Sequence, residues 1–597
     1  MAQGDYTISD VYQGGYSSFK PSYGDVFTGY NASAKTLGLT TDPQTANVLQ
    51  AASQNIASGV KHIEVSAVTS PAVFESIPKQ HLKEMNRLSK LTGVDISVHA
   101  PMIEPSGLTE QRGFTESNRT SAERQMISAV EKSHEISPDG NIPVTFHSSV
   151  ILPGQVTEKG KKPDRVLVIN RENGQIGPIQ IKEERNFPGE GEISVEKELQ
   201  KENENSWLQG IQHLSYSTRQ AEGLIEHYSP TALLIEAEEK QGRPITKEQE
   251  TSKHAMKQAD SFLNEGYRGF KDLFEKAYTY AATKEDEERL LELKKEITND
   301  VEKINKDKNS VQSILLKKEI IEKGVETLTG LTTPETYVEV NDFAKDKTVQ
   351  TFANVAFDSY KQFGENAPII SIENPPAGGA FSRGEELKEV VEKAREGFIE
   401  RAMKPNNPNL PEDQRGLGMS KRQAKAAAAK TLGVTWDVGH INMIRKYGYD
   451  SKDLVKETEA VAPLVKHVHL SDNFGFEHTE LPMGMGNVPV KEMLDKLGKE
   501  GFDAKKIIEA GNWWQHFKTP PFKESLQAFG SPIYSMNMEP YWNQSLGLEQ
   551  GYNSGYGNML PQGNYETFGS GFSQLPSELG GQRPGGGGSR MSGRGME

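Results

Sequence analysis

Residues 431–444 read TLGVTWDVGHINMI. Leu432–Trp436 is a short apolar run with β-branched members, of strand length rather than helix length. It breaks off at Asp437, and His440 follows three residues later. A buried strand ending on a carboxylate and an imidazole is costly unless both groups are put to use. The fold turns on whether other strands end in the same way.

They do. AKTLGLTT (34–41), KHIEVSAV (61–68), VDISVHAP (94–101), IPVTFHSS (142–149), APIISIENPP (367–376), LGVTWDVGH (432–440), VKHVHLSDN (465–473) and KKIIEAG (505–511) all read as strands. Between them lie helical stretches: 42–58, opened by Asp42 and Pro43; 78–93, closed by Gly93; 120–136; Gly384 to about Ala402; and stretches near 451–461 and 489–499. Strands alternating with helices specify a parallel sheet, and eight of them specify a closed (β/α)8 TIM barrel. An open doubly wound sheet is the alternative. It is disfavoured because no Gly-rich phosphate loop follows the first strand.

The alternation is interrupted after the fourth strand. Residues 155–335 are far longer than a strand-to-helix connection requires. RVLVINRENGQIGPIQIKEE (165–184) reads as a hairpin turning at Asn173-Gly174. Residues 195–328 are charged and helical. Leu290, Leu293, Ile297, Val301 and Ile304 fall three and four apart, one apolar stripe that needs a partner. The expectation is an inserted helical hairpin or small bundle that binds a protein partner or self-associates. Thr333-Pro334 is expected to cap a new helix leading back to the barrel. This gives a flexible arm (1–33), a first half-barrel (34–154), the insertion (155–335), a second half-barrel (336–530) and a disordered Gly/Tyr-rich tail (531–597).

Bulk properties narrow the chemistry. Of 597 residues 35% are hydrophobic, and the formal charge is −15. An acidic chain does not coat nucleic acid nonspecifically, although a local basic groove is compatible with it. With no cysteine, disulfides and thiolate metal sites are excluded, and any metal must be held by His, Asp and Glu. No run has membrane-spanning length, and the first residues lack a signal-peptide core, so a cytoplasmic protein without a membrane partner is expected.

Six strand ends carry potential ligands: His99, His147, Glu373, Asp437 with His440 in its turn, His469 and Glu509. The C-terminal strand ends of a (β/α)8 barrel ring one mouth, so these residues should converge there as a site for Zn or Mn. Singly, each has a plainer reading. A strand-end His is commonly structural, and Asp472 is expected to serve as a helix cap. His467 lies one layer deeper than His469 and reads as packing. Trp436 has the opposite parity to Asp437 and should face the outer helices. His213, His227, His254 and His516 fit no pattern.

These motifs resemble the xylose isomerase-like TIM barrel superfamily, and within it the endonuclease IV family of apurinic/apyrimidinic endonucleases. SVHAP (His99), TFHSS (His147), IENPPAGGAFSRGEELKEVV (Glu373), DVGHINMIRKYGYD (Asp437 and His440), HLSD (His469), EHTELPMGMG (His478) and IIEAG (Glu509) are similar to the family's motifs over about 35–154 and 336–515. Two positions depart. Phe476 stands where the family has an Asp that helps hold a third ion, leaving Glu477 or Asp472 as substitutes. Met102 stands where it has an aromatic on a DNA-wedging loop.

The resemblance implies a hydrolase cleaving DNA at abasic sites with two or three Zn ions. His99, His147 and Glu373 would hold one ion and Glu373, Asp437, His469 and Glu509 another, with His440 and His478 near a third. The sister families imply instead a sugar (or sugar phosphate) isomerase or epimerase. One Mn or Mg would then sit on Glu373, Asp437, His469 and Glu509, with Glu373 and Glu509 as the catalytic acid and base. A barrel that has lost catalysis and serves as a scaffold is the third possibility.

Overall fold

The computed structural model describes residues 37–525, except 42–46, 58, 69–70, 110–112, 155–157, 162, 164, 182–193, 240, 242, 244–245, 308–309, 412–413, 504, 511–512, 514–520 and 523. The expected N-terminal arm, the Gly/Tyr-rich tail, the Asp42–Pro43 cap and His516 lie outside the described residues.

The eight strands form a closed parallel barrel. They are β1 (Leu37–Thr40), β2 (His62–Ser66), β3 (Asp95–His99), β4 (Pro143–His147), β5 (Ile369–Glu373), β6 (Leu432–Asp437), β7 (Val465–Leu470) and β8 (Lys505–Ile508). Closure runs through β1, which pairs with β8 at Gly38↔Ile507 and with β2 at Leu39↔Ile63. Side chains alternate between the two faces of each strand. On β6, Trp436 is fully buried on the outer face, where its indole N–H donates to Thr458 Oγ1 (3.1 Å) on the covering helix Ser451–Val461. Its neighbour Asp437 is buried on the inner face, beside His469 in the register.

The barrel interior departs from the usual filling of branched aliphatics. Below the rim, Thr435 Oγ1 lies 2.9 Å from Thr145 Oγ1 and donates to Ser371 Oγ at 2.7 Å. Glu64, Ser97 and His467 are likewise fully buried. Gly38 is required by crowding: a Cβ there would sit 2.5 Å from the His62 carbonyl oxygen and 2.8 Å from Ile507 Cδ1.

Helix signals were legible to within a few residues. Gly93 closes Lys79–Thr92 in the left-handed conformation, as expected. The helix expected over 120–136 begins earlier, at Glu116, because the Thr115 side chain accepts from the Asn118 N–H and caps it.

The chain divides into two compact units, one running to Pro163 and resuming at Asn341, the other Asp164–Val340. In the second unit Arg165–Asn170 pairs antiparallel with Ile176–Gln180, and Gly174 takes the positive φ of the turn. One expectation fails here. Thr333-Pro334 does not start a helix. Tyr337–Glu339 instead forms a third strand against Arg165–Asn170, and helix begins only at Val340. A three-residue strand is too short to show a periodicity of its own.

The remainder of that unit is helical: Val195–Glu239, Lys247–Thr279, Lys284–Lys306 and Val311–Thr329. Trp207, Leu214 and Ala221 on the first helix, and Met256, Leu263, Phe270 and Ala277 on the second, recur every seven residues in one core. Leu290, Leu293 and Ile304 join this core, with Ile297 and Val301 packed against it.

Candidate metal centre

Each rim residue arrives by the same route. An inner-face position at or just beyond a strand's C-terminal end places its side chain over the barrel axis. His99, Glu373, Asp437 and His469 are buried to within a few per cent, and the Glu509 side chain is 17% exposed, marking the side open to solvent.

Glu373 is central. Its Oε2 lies 3.1 Å from His99 Nε2 and 3.3 Å from His147 Nε2, yet it makes no aligned hydrogen bond to either ring. Its Oε1 lies 2.8 Å from His469 Nδ1. That same nitrogen is 3.0 Å from Glu509 Oε2, another buried oxygen without an aligned partner. Donor atoms of His99, His147 and Glu373 lie within 4.8 Å of one another, and so do those of Glu373, Asp437, His469 and Glu509. Two donor sets therefore meet at one carboxylate.

The far nitrogens of the imidazoles are tied back. His99 Nδ1 faces its neighbour's carbonyl, Ala100 O, at 3.1 Å, and His440 Nδ1 faces Asn374 O at 2.8 Å. A carbonyl only accepts, so each of these Nδ1 atoms carries a proton, and the opposite nitrogen is the one left to face a cation. Asn374 also bridges to the Asp437 backbone in both directions, at 2.9 and 3.0 Å, which fixes the turn holding His440. The Asp437 side chain accepts the His440 backbone N–H at 2.7 Å.

Three carboxylates share this pocket; Glu373 and Glu509 face histidine rings, while Asp437 accepts from the Ser471 hydroxyl at 3.2 Å. Burial, together with the charges of Glu509 and Glu373, pushes the Asp437 carboxyl well above its usual range. Burial opposes ionisation of Glu373 as well, but His469 and His147 outweigh it and hold that carboxyl well below. His469 outweighs burial at Glu509 too, bringing it down to about 2. Burial disfavours charge on His99, but its contact with Glu373 prevails and raises it to about 9; at His147 burial prevails and lowers it to about 3. Clustered acids, imidazole lone pairs aimed inward and two unaligned buried oxygens fit a divalent cation.

His440 and His478 flank the two donor sets, with His440 Nδ1 3.9 Å from Glu373 Oε1. Their Nε2 atoms are 2.8 Å from each other, and Glu480 lies 3.4 Å from His478. Asp472, one of the two carboxylates expected to stand in for the absent Asp, does not turn to this pair. Asp472 is spent on the backbone N–H groups of Asn473, Gly484 and Val488, anchoring the loop rather than capping a helix. Glu477 is exposed, and so is Phe476. Glu480 lies beside His478, and Asp437 Oδ2 is 4.0 Å from His440 Nε2.

Sequence reasoning passed over Glu64. It is fully buried in β2, and its Oε2 lies 3.0 Å from His467 Nε2 and 3.3 Å from His469 Nε2. The signal was available. In HIEVS the apolar Ile63 and Val65 alternate with His62, Glu64 and Ser66, which puts an acid on the inner face.

A family model described as a xylose isomerase-like TIM barrel matches residues 340–529, the part of the chain that carries β5–β8. The uncharacterized protein MJ1311 of Methanocaldococcus jannaschii is 30% identical over 130 residues, 21% of this chain and 42% of that protein. The chain thus spans less than half the length of that curated relative. A crystal structure of a D-tagatose 3-epimerase-like protein aligns over 84% of this chain and 99% of its own, at 14% identity and a TM-score of 0.34. Among the described residues no helix is long and apolar enough to cross a membrane. Eight parallel strands thus close into a TIM barrel, and the second half of that barrel matches the xylose isomerase-like model.

Proposed function

We propose that the protein is a divalent-metal-dependent phosphodiester hydrolase of the endonuclease IV type, working at the barrel mouth on a pair of Zn ions that share Glu373. One observation carries this reading: the two oxygens of Glu373 face different donor sets, Oε2 toward His99 and His147 and Oε1 toward His469. A carboxylate so placed is suited to bridging. An isomerase with one ion has no need of two further imidazoles on the far oxygen.

Zn bound there supplies Lewis acidity that balances phosphodiester charge and favours hydroxide at neutral pH. The chain's own residues divide the remaining work. His99, once its proton is displaced, and His147 would offer imidazole donors, with His99 oriented by the Ala100 carbonyl. Asp437, His469 and Glu509 complete the other set. His440 and His478 reach the rim together, with Glu480 behind them, where they would meet the phosphate. DNA with an abasic site is the substrate that the motif set supports, its sugar turned out of the helix into the mouth.

The test is nicking of a duplex containing one abasic site, by the Zn-loaded protein and by Glu373→Gln. Strand cleavage by the first and its loss in the second supports the reading. Absence of cleavage by fully loaded protein rejects it.

A second reading stays in view because Glu373, Asp437, His469 and Glu509 form a complete donor set by themselves, while Phe476 brings no carboxylate to the His440–His478 pair. In that case one Mn or Mg would serve a sugar isomerase or epimerase. Exchange of a substrate C–H proton into solvent, without phosphodiester cleavage, would favour it.

A further inference from the structure

Beneath the rim lies a chain of buried polar groups that the proposed chemistry does not use. His62 Nε2 lies 3.2 Å from Ser97 Oγ, and the Ser97 hydroxyl donates to Glu64 Oε2 at 3.0 Å. Glu64 Oε2 also receives His467 Nε2 at 3.0 Å. His469 Nε2 lies 3.3 Å from Glu64 Oε2 and 3.2 Å from Oε1. Glu64, His467 and His469 are fully buried, and the Glu64 carboxylate is met by the Ser97 hydroxyl and by two imidazoles. An ionised carboxylate placed inside a barrel where an aliphatic would normally pack carries a desolvation cost, so its donors must hold it there.

The geometry at His469 indicates its use. The Nδ1 of this ring faces Glu373 Oε1 and Glu509 Oε2, within the donor set at the rim. For Nδ1 to offer a lone pair to a cation, the ring proton must sit on Nε2. The group facing Nε2 is the Glu64 carboxylate, which only accepts. We infer that Glu64 is a positioning residue for the metal centre: it holds the proton on His469 Nε2 and so aims Nδ1 at the ion.

Ser97 and His467 in turn fix the Glu64 carboxylate, one from β3 and one from β7. The arrangement is that of a carboxylate–histidine–metal triad, built upward from the second layer of the barrel. This inference rests on His469 being a metal donor and is independent of whether the reaction is hydrolysis. One competing arrangement is contained in the same residues, because donor atoms of Glu64, His467 and His469 lie close enough to hold an ion among themselves.

The experiment uses the full chain, [15N]histidine-labelled and loaded with Zn alone. Long-range 1H–15N spectra report the tautomer of each ring, assigned for this one by the loss of its signals in His469→Gln. His469 is expected with its proton on Nε2 and a metal-shifted Nδ1. Competition with a chelator should show Zn held roughly 10–100-fold more weakly in Glu64→Gln, while the number of Zn ions taken up should be the same in His467→Phe as in wild type. Should Glu64→Gln fail to fold, the wild-type tautomer decides alone.

A proton on Nδ1 in the loaded wild type overturns the inference, as does unchanged Zn affinity in a folded Glu64→Gln. Loss of one whole Zn equivalent in His467→Phe would put an ion in the deeper set and overturn it too. A wild type that takes up no Zn rejects both this inference and the proposed function. Zn uptake with the expected tautomer but no phosphodiester cleavage rejects only the latter.

Discussion

At the scale of single residues, His99 sets how the proposed centre would take up a cation. Burial alone would keep this ring neutral, but Glu373 raises it to about 9, so the metal-free protein holds a proton there at pH 7. An arriving ion needs that lone pair and must displace the proton. The ring is protonated below about 9 and free above it, so Zn affinity should climb with pH by up to about tenfold per unit between 7 and 9 and level off beyond. Calorimetry in buffers of different ionisation enthalpy should register the proton released at pH 7; no release would show that His99 is not displaced.

Gly38 gives a stability prediction at the same scale. A methyl there meets backbone as well as Ile507, and backbone cannot rotate away. Gly38→Ala should cost roughly 1–3 kcal/mol by overpacking, read from the denaturation midpoint. The rim donors were legible in the sequence because a strand end is a marked position: an apolar run stops, and the residue that stops it stands out. Glu64 and His467 sit inside their strands, where an inner-face acid and an inner-face His look like ordinary packing until the partner strand is known.

At the scale of elements, Asp472 is among the buried side chains, with Asn442, Asn473 and Asn487, that hold the loop after β7. Asp472 accepts backbone N–H groups from both ends of residues 473–488, and His478 rides on that loop. Asp472→Ala leaves those donors unpaired, at a cost of about 1–3 kcal/mol. Amide exchange should accelerate at Gly484 and Val488 while the strands stay protected; unchanged exchange in the loop would deny Asp472 this role.

The eight strands were readable because short segments of four to six residues with β-branched apolar side chains lie between helices that carry capping signals. Tyr337–Glu339 was not, and its neighbours Thr333-Pro334 imitate a helix start closely enough to mislead. Pairing with Arg165–Asn170 decides that segment, and pairing over such a distance in sequence leaves no local mark.

At the scale of the molecule, the insertion begins and ends on paired strands, Asn170 opposite Tyr337. Cutting out 171–336 and joining these two residues through an Asn-Gly turn asks for one tight hairpin and no new packing. The shortened chain should remain soluble, unfold cooperatively and keep its metal content. Aggregation on expression would mean that the barrel depends on the inserted unit. The presence of that unit was legible from its length and charge. Its four-helix core was only partly so, because a single apolar stripe tells that a partner exists without telling which helix supplies it.

The account stands on one claim above the others: residues from six strand ends share cations through Glu373. The most direct test is the metal content of the purified full-length protein, by mass spectrometry, beside Glu373→Gln. Two or three divalent ions per chain in the wild type, falling by at least one in the variant, is the predicted result. No bound ion, or a single ion that Glu373→Gln leaves in place, would contradict it.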